Sequence, residues 1–198
     1  MKKGDLKGKI ATDSLNTKET YGLGPVEFLK GEILLFEGET FVSKAIDSVS
    51  HKVAKVSSVK APFFVYSKHS NLKEIALPNT SYSLESIEAQ IDVIYKDYDK
   101  PLLIRIDGVF NDLKIHSVNL PSGIKVASPE EAHQGLTQYN FNGISGSLIG
   151  FFSRNHKAVF THHDRFFHAH FISDDRKVLG HVDALNLSSS KVSIKASK

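Results

Sequence analysis

The stretch that decides the fold is Phe167-His168-Ala169-His170-Phe171-Ile172-Ser173-Asp174-Asp175-Arg176-Lys177-Val178-Leu179-Gly180-His181-Val182. From Phe167 to Phe171 it alternates apolar and polar, the period of a strand, in which side chains two apart share a face. His168 and His170 therefore project from one face, and Phe167, Ala169 and Phe171 from the other. The run Ser173–Lys177 is polar and turn-forming, and a strand-like run resumes at Val178. A hairpin centred on Asp175 and Arg176 pairs His170 directly with His181, their Cβ atoms about 4.5–5.5 Å apart. His168 is then the diagonal neighbour, and three imidazoles converge on one spot. A slip of one residue would turn His181 to the opposite face and dissolve the cluster.

Histidine is the commonest metal ligand among side chains. The chain carries 10 histidines in 198 residues, crowded between His116 and His181, and no cysteine. Any metal must be held by His, Asp or Glu, and disulfides and thiolate nucleophiles are excluded. Three histidines with a fourth position left open is the arrangement of catalytic zinc. The plainer reading is an exposed hairpin decorated with histidines. A lone His-x-His carries little weight against it, whereas a third histidine placed opposite shifts the balance to a metal site. His162, Asp164 and Phe166 would precede His168 on the same face of an unbroken strand, as cavity rim or solvated surface. His133 reads as helix-terminal, and His51, His69 and His156 as loop or edge residues.

Working outward, strands dominate. Gly31–Phe36 and Glu39–Ser43 form a hairpin around Glu37-Gly38, and Ala61–Tyr66 is a short buried strand. Leu102–Val109 and Leu113–Leu120 are two strands joined at Phe110-Asn111-Asp112. Gly146–Phe152, Ala158–Phe171, Val178–Leu187 and Lys191–Lys195 complete the set. Two helices are expected. One runs over Leu84–Tyr98, capped by Ser83, with Leu84, Ile87, Ile91 and Ile94 on one face. A short one covers Pro129–His133 behind a Ser128 cap. Few helices among many strands, without regular alternation, indicate an α+β class. The chain reads as one compact unit (1–198) with two β-rich halves, about 1–80 and 81–198.

Composition narrows the partners. The formal charge is +3 and the lysines are scattered, so the basic stripe of a nucleic-acid binder is missing. No stretch approaches the ~20 apolar residues of a membrane-spanning helix. The expected partner is a small molecule, not nucleic acid or membrane. The start, MKKGDLKGKI, has no apolar core and is not a signal peptide. The cytoplasm is the default location, and export would require a leader removed before Met1.

His168-x-His170, ten residues and then His181 resembles the zinc triad of the α-acetolactate decarboxylase family. Other segments match in the same order over about residues 20–187. They are Tyr21-Gly-Leu-Gly-Pro25 with Leu29-Lys-Gly-Glu32, Arg105-Ile-Asp-Gly-Val-Phe110, Gly146-Ser-Leu-Ile-Gly-Phe151 and Leu179-Gly180-His181-Val182. The resemblance implies a bifurcated, mixed β-sheet and a homodimer. It implies a carboxy-lyase converting α-acetolactate, a 2-hydroxy-3-oxo acid, to acetoin through a zinc-stabilised enediolate. Carried over by position, His168, His170 and His181 bind Zn2+, and Glu32 of the Gly-Glu pair is catalytic. Sequence alone would read Glu32 as an exposed strand-start residue.

Two departures stand out. Continuing the Arg105–Phe110 match without a gap puts His116 where the family carries an active-site arginine. Lys114, on the same strand face, would then supply positive charge to bind substrate. The family's second glutamate, in its C-terminal tail, has no counterpart in Val182–Lys198. Two rival readings follow: another three-histidine zinc enzyme, a hydratase or hydrolase, and a catalytically silent member that keeps its metal.

Overall fold

Two strands, Leu102–Ser117 of 16 residues and Leu179–Ala196 of 18, organise the molecule. The computed structural model describes residues 5–76, 81–124, 126, 131, 134–157 and 165–198. In chain order its first strands are β1 (Ile10–Ala11), β2 (Thr20–Pro25), β3 (Glu32–Phe36), β4 (Glu39–Ala45), β5 (His51–Val56), β6 (Lys60–Ala61) and β7 (Val65–Lys68). Then come β8 (Lys73–Glu74), β9 (Ser81–Ser83), helix α1 (Leu84–Ile94), β10 (Leu102–Ser117), β11 (Thr137–Phe141), β12 (Ile144–Phe152), β13 (Phe167–Ser173) and β14 (Leu179–Ala196). The sheet-rich α+β class is the one the sequence indicates.

The smaller sheet has the order β5-β4-β3-β2-β7. The larger runs β11-β10-β12-β13-β14-β8, with β9 added to β14 and a further pairing of β10 with β14. That pairing closes a ring of four strands and makes both long strands fork. The first half of β10 lies between β12 and the end of β14, and its second half between β11 and the start of β14. The expected bifurcation is this fork. Every pairing among the described residues is antiparallel, whereas the resemblance implies a mixed sheet. The β3–β4, β11–β12 and β13–β14 connections are short hairpins, which only antiparallel neighbours allow.

Other differences are local. Phe110-Asn111-Asp112 is not a turn. Strand β10 runs straight through it, because β14 pairs with Gly108, Phe110 and Asp112 across register shifts that absorb the irregularity. Phe110 is fully buried there, its ring 5.0 Å from Phe171. Val178–Leu187 and Lys191–Lys195 likewise fuse into β14. The expected strand Ala61–Tyr66 is split. Ala61 pairs with β1 and Val65 with β2, and Pro62 between them has no N–H to donate.

Helix α1 starts where Ser83 and Ser86 form a reciprocal capping box. It stops at Ile94 rather than Tyr98. The Arg154 guanidinium takes the carbonyls of Asp92, Tyr95 and Tyr98 and the Asp92 carboxylate, ending the helical ladder. Ile94 is consequently exposed, while Leu84, Ile87 and Ile91 are buried. The expected helix Pro129–His133, apart from Glu131, and the part of the expected strand holding His162 and Asp164 lie outside the described residues.

The two sheets meet through an apolar seam. Tyr21, Leu23, Leu34, Phe36 and Phe41 from the smaller sheet pack against Leu103, Ile149, Phe151, Ile172 and Leu179 from the larger. Leu34, Ile149, Ile172 and Leu179 have no exposed surface. At about 1.5–3 kcal/mol for each large apolar side chain buried, this seam fixes the two sheets against each other.

Candidate metal centre

The β13–β14 hairpin has the register that the alternation implies: His170 pairs with His181, Phe171 with Gly180 and Ile172 with Leu179. Ser173 closes the turn. Its backbone N–H donates to the Val178 carbonyl, and its hydroxyl accepts from the N–H groups of Lys177 and Val178. Arg176 holds the positive φ of 60° that the reversal needs. Phe171 and Ala169 fill the core behind the histidines.

Gly180 brings a third strand to this point. A Cβ there would lie 2.7 Å from the His116 carbonyl oxygen. Glycine therefore lets β14 approach β10 closely enough to pair His181 with His116 as well as with His170.

The triad converges. His168 Nε2 and His181 Nδ1 are 3.0 Å apart, and one donor atom from each of His168, His170 and His181 lies within 4.8 Å of the others. Tetrahedral zinc with bonds of about 2.0–2.1 Å requires donors about 3.3–3.4 Å apart, so small side-chain rotations suffice.

His170 carries the clearest sign of a ligand. Its ring is completely buried, and Nδ1 donates to the Ile33 carbonyl at 3.0 Å. A carbonyl only accepts, so Nδ1 holds the proton and Nε2 presents a lone pair. That Nε2 is buried without a hydrogen-bond partner. Burial, and then the charges of His168 and His116, hold the imidazole well below its ordinary pKa, so it is neutral. A buried, neutral, unpartnered nitrogen beside two other histidines suits a metal ion, and the orienting backbone carbonyl is the usual support of a metal-binding imidazole. The residues present fit zinc.

Glu32 is not the exposed strand-start residue that its position alone would indicate. It is 3% exposed. Its Oε1 accepts the Val118 N–H at 3.0 Å, and Oε2 stands 3.6 Å from His170 Nε2. With His170 neutral, that contact is not an ion pair. Burial pushes the Glu32 carboxyl up to about 7; the His116 charge and the Val118 hydrogen bond oppose the rise, and Asp183 adds to it.

His116 is also buried. It stacks on His181 with ring centres 4.4 Å apart and a 27° tilt. The two sheets thus contribute together: the three candidate ligands from β13 and β14, His116 from β10, and Glu32 with the Ile33 carbonyl from β3. Lys114 is not drawn in. It is exposed and pairs across with Ala184. One residue went unnoticed in the sequence, Asp183, whose Oδ1 is 2.6 Å from His116 Nδ1. His116, His181 and Asp183 form a second group with metal-ligand spacing. The available signal was the His181-x-Asp183 alternation, which repeats the spacing of His168 and His170.

A forked antiparallel sheet presenting three histidines beside a buried glutamate defines a candidate metalloprotein of mostly β architecture. Within that class, the chain belongs to the alpha-acetolactate decarboxylase family, whose family model matches residues 1–198. It is similar to the alpha-acetolactate decarboxylase of Brevibacillus brevis, 26% identical over 188 residues covering 93% of this chain and 61% of the relative. It is also similar to that of Methanosarcina mazei, 26% identical over 180 residues, 90% of this chain and 60% of the relative. The chain thus spans about three-fifths of the length of these curated relatives. The crystal structure of alpha-acetolactate decarboxylase from Bacillus subtilis strain 168 shares the fold, with a TM-score of 0.80 at 22% identity, covering 98% of this chain and 79% of that one.

Proposed function

We propose that the protein is a zinc-dependent α-acetolactate decarboxylase, with His168, His170 and His181 as the metal ligands. The observation that carries this reading is the unpartnered His170 Nε2, buried 3.6 Å from the Glu32 carboxyl in a chain of this family. Bound there, zinc supplies Lewis acidity toward the adjacent hydroxyl and ketone oxygens of a 2-hydroxy-3-oxo acid. Departure of carbon dioxide breaks the bond between the carboxylate carbon and the hydroxyl-bearing carbon. The electron pair stays behind as an enediolate, and one proton on that carbon yields acetoin. Glu32 is suited to deliver it, since a carboxyl raised to about 7 is partly protonated at neutral pH. The Val118 N–H holds Oε1, leaving Oε2 on the histidine side. His116 takes the role of hydrogen-bond donor to substrate oxygen. Lys114, exposed on the same strand, attracts the anionic substrate from solvent. The working unit is a homodimer, which sedimentation of the purified protein would check.

The test is elemental analysis combined with carbon dioxide release from α-acetolactate, on wild type and His170→Ala. Wild type should hold about one zinc per chain and release carbon dioxide, and the variant should lose both. Ester hydrolysis without carbon dioxide would indicate another three-histidine zinc enzyme. Zinc binding without either activity would indicate a silent family member, and equal zinc in both proteins would reject the triad.

A further inference from the structure

Asp183 is absorbed by neither the metal site nor the proton transfer, yet it is tightly placed. The β10–β14 ladder shifts register next to it: Lys114 pairs with Ala184, and Ile115 with Val182. Asp183 is the residue skipped. A residue left out of a ladder has no cross-strand partner of its own, and alternation from His181, which pairs with His116, keeps Asp183 on the His116 face. Its Oδ1 meets His116 Nδ1 at 2.6 Å, and its Oδ2 receives Gln138 Nε2 at 3.5 Å. Gln138 lies on β11 directly across from His116, so three strands hold this carboxylate.

We propose that Asp183 is a positioning residue that fixes the ring orientation and tautomer of His116 beside the metal centre. The inference rests on the proposed decarboxylase reading, in which His116 donates to substrate oxygen. A carboxylate only accepts, so the proton of the contact sits on His116 Nδ1. That leaves Nε2, on the opposite side of the ring, as the atom that meets substrate. Without Asp183 the imidazole can flip and exchange its two nitrogens, and stacking on His181 does not distinguish them. The same logic operates wherever a carboxylate orients a histidine in a catalytic site.

A merely structural ion pair would also be disturbed by mutation, so the test compares backgrounds. Asp183→Ala should lower kcat/KM for decarboxylation by about 10–100-fold, the usual effect of removing such a partner, with zinc content unchanged. In a His116→Asn background the same substitution should cause almost no further loss, because a residue acting through His116 has nothing left to act on. Asp183→Asn, which keeps an acceptor, should recover part of the activity. Equal losses in both backgrounds would overturn the proposal. A second readout does not depend on turnover. Nitrogen-15 NMR of the zinc-loaded protein should show His116 protonated at Nδ1 in wild type and a mixture of tautomers in Asp183→Ala. An unchanged His116 signal would overturn the proposal even if carbon dioxide release is normal. If wild type releases no carbon dioxide, the decarboxylase reading fails and the NMR comparison alone decides the role of Asp183.

Discussion

A carboxyl group buried beside the neutral His170 imidazole behaves differently from one in water, and Glu32 shows the consequence. Its folded-state pKa of about 7 stands above the ordinary value of 4.5. The folded metal-free protein therefore binds a proton that the unfolded chain releases between these pH values. The stability this contributes is fully present below about pH 4.5 and is lost as pH rises through 7. In Glu32→Gln, which cannot titrate, that loss should be absent. Denaturation of the metal-free proteins at pH 5 and pH 8 should show wild type losing more stability than the variant; equal losses would place Glu32 in water. With zinc bound, a nearby dication favours the carboxylate and the trend should weaken. The same variant should keep its zinc and lose about 10²–10⁴-fold in turnover, the range for removing a positioned acid. At this scale the clustering of His168, His170 and His181 was legible in the sequence, because a period of two and a hairpin turn need only local pattern. Asp183 was not, because its partner His116 lies on a strand distant in sequence, and only the β10–β14 pairing brings the two together. The burial of Glu32 was not legible either, since it comes from a sheet distant in sequence.

The elements show where local pattern loses to pairing. The β13–β14 hairpin was readable because alternation, turn residues and a second apolar run all agreed. Phe110-Asn111-Asp112 has turn-prone residues too, but partners on both flanks carry β10 through it, and no local signal reveals those partners. Gly180 makes the opposite point. In the sequence it is only one residue of a strand-like run, and the structure shows β10 backbone pressed against it. Gly180→Ala places a methyl 2.7 Å from the His116 carbonyl oxygen and 3.0 Å from Ile115 Cδ1. The first neighbour is backbone and cannot rotate away, so the two long strands must separate. The expected cost is about 1–3 kcal/mol, as for overpacking elsewhere, read from the denaturation midpoint. Zinc affinity should fall with it, since His181 is the next residue. Unaltered stability and affinity would show that the strands have room to part.

At the scale of the whole molecule, the site exists because two sheets dock. The proposed metal ligands belong to the larger sheet, while the proposed acid and the carbonyl that orients His170 come from β3 of the smaller. Alternation along β3 sends Leu34 and Phe36 into the seam between sheets, on the face that carries Glu32, and sends Ile33 into a separate cluster with Val26, Val42 and Ala61. No periodicity within either half predicts that seam, since each half merely shows an apolar face. The division of labour along β3 separates docking from mere stability. Leu34 and Ile33 are both fully buried, so Leu34→Ala and Ile33→Ala should each cost about 2–5 kcal/mol. Only Leu34→Ala opens a cavity at the seam beneath Glu32. Measured where both variants remain folded, Leu34→Ala should reduce turnover per bound zinc, while Ile33→Ala should keep it near wild type. Zinc content should stay normal in both, because all three proposed ligands lie on β13 and β14 and neither substitution removes the Ile33 carbonyl that orients His170. Equal effects on turnover would mean that Glu32 is positioned by β3 itself rather than by the docking of one sheet on the other.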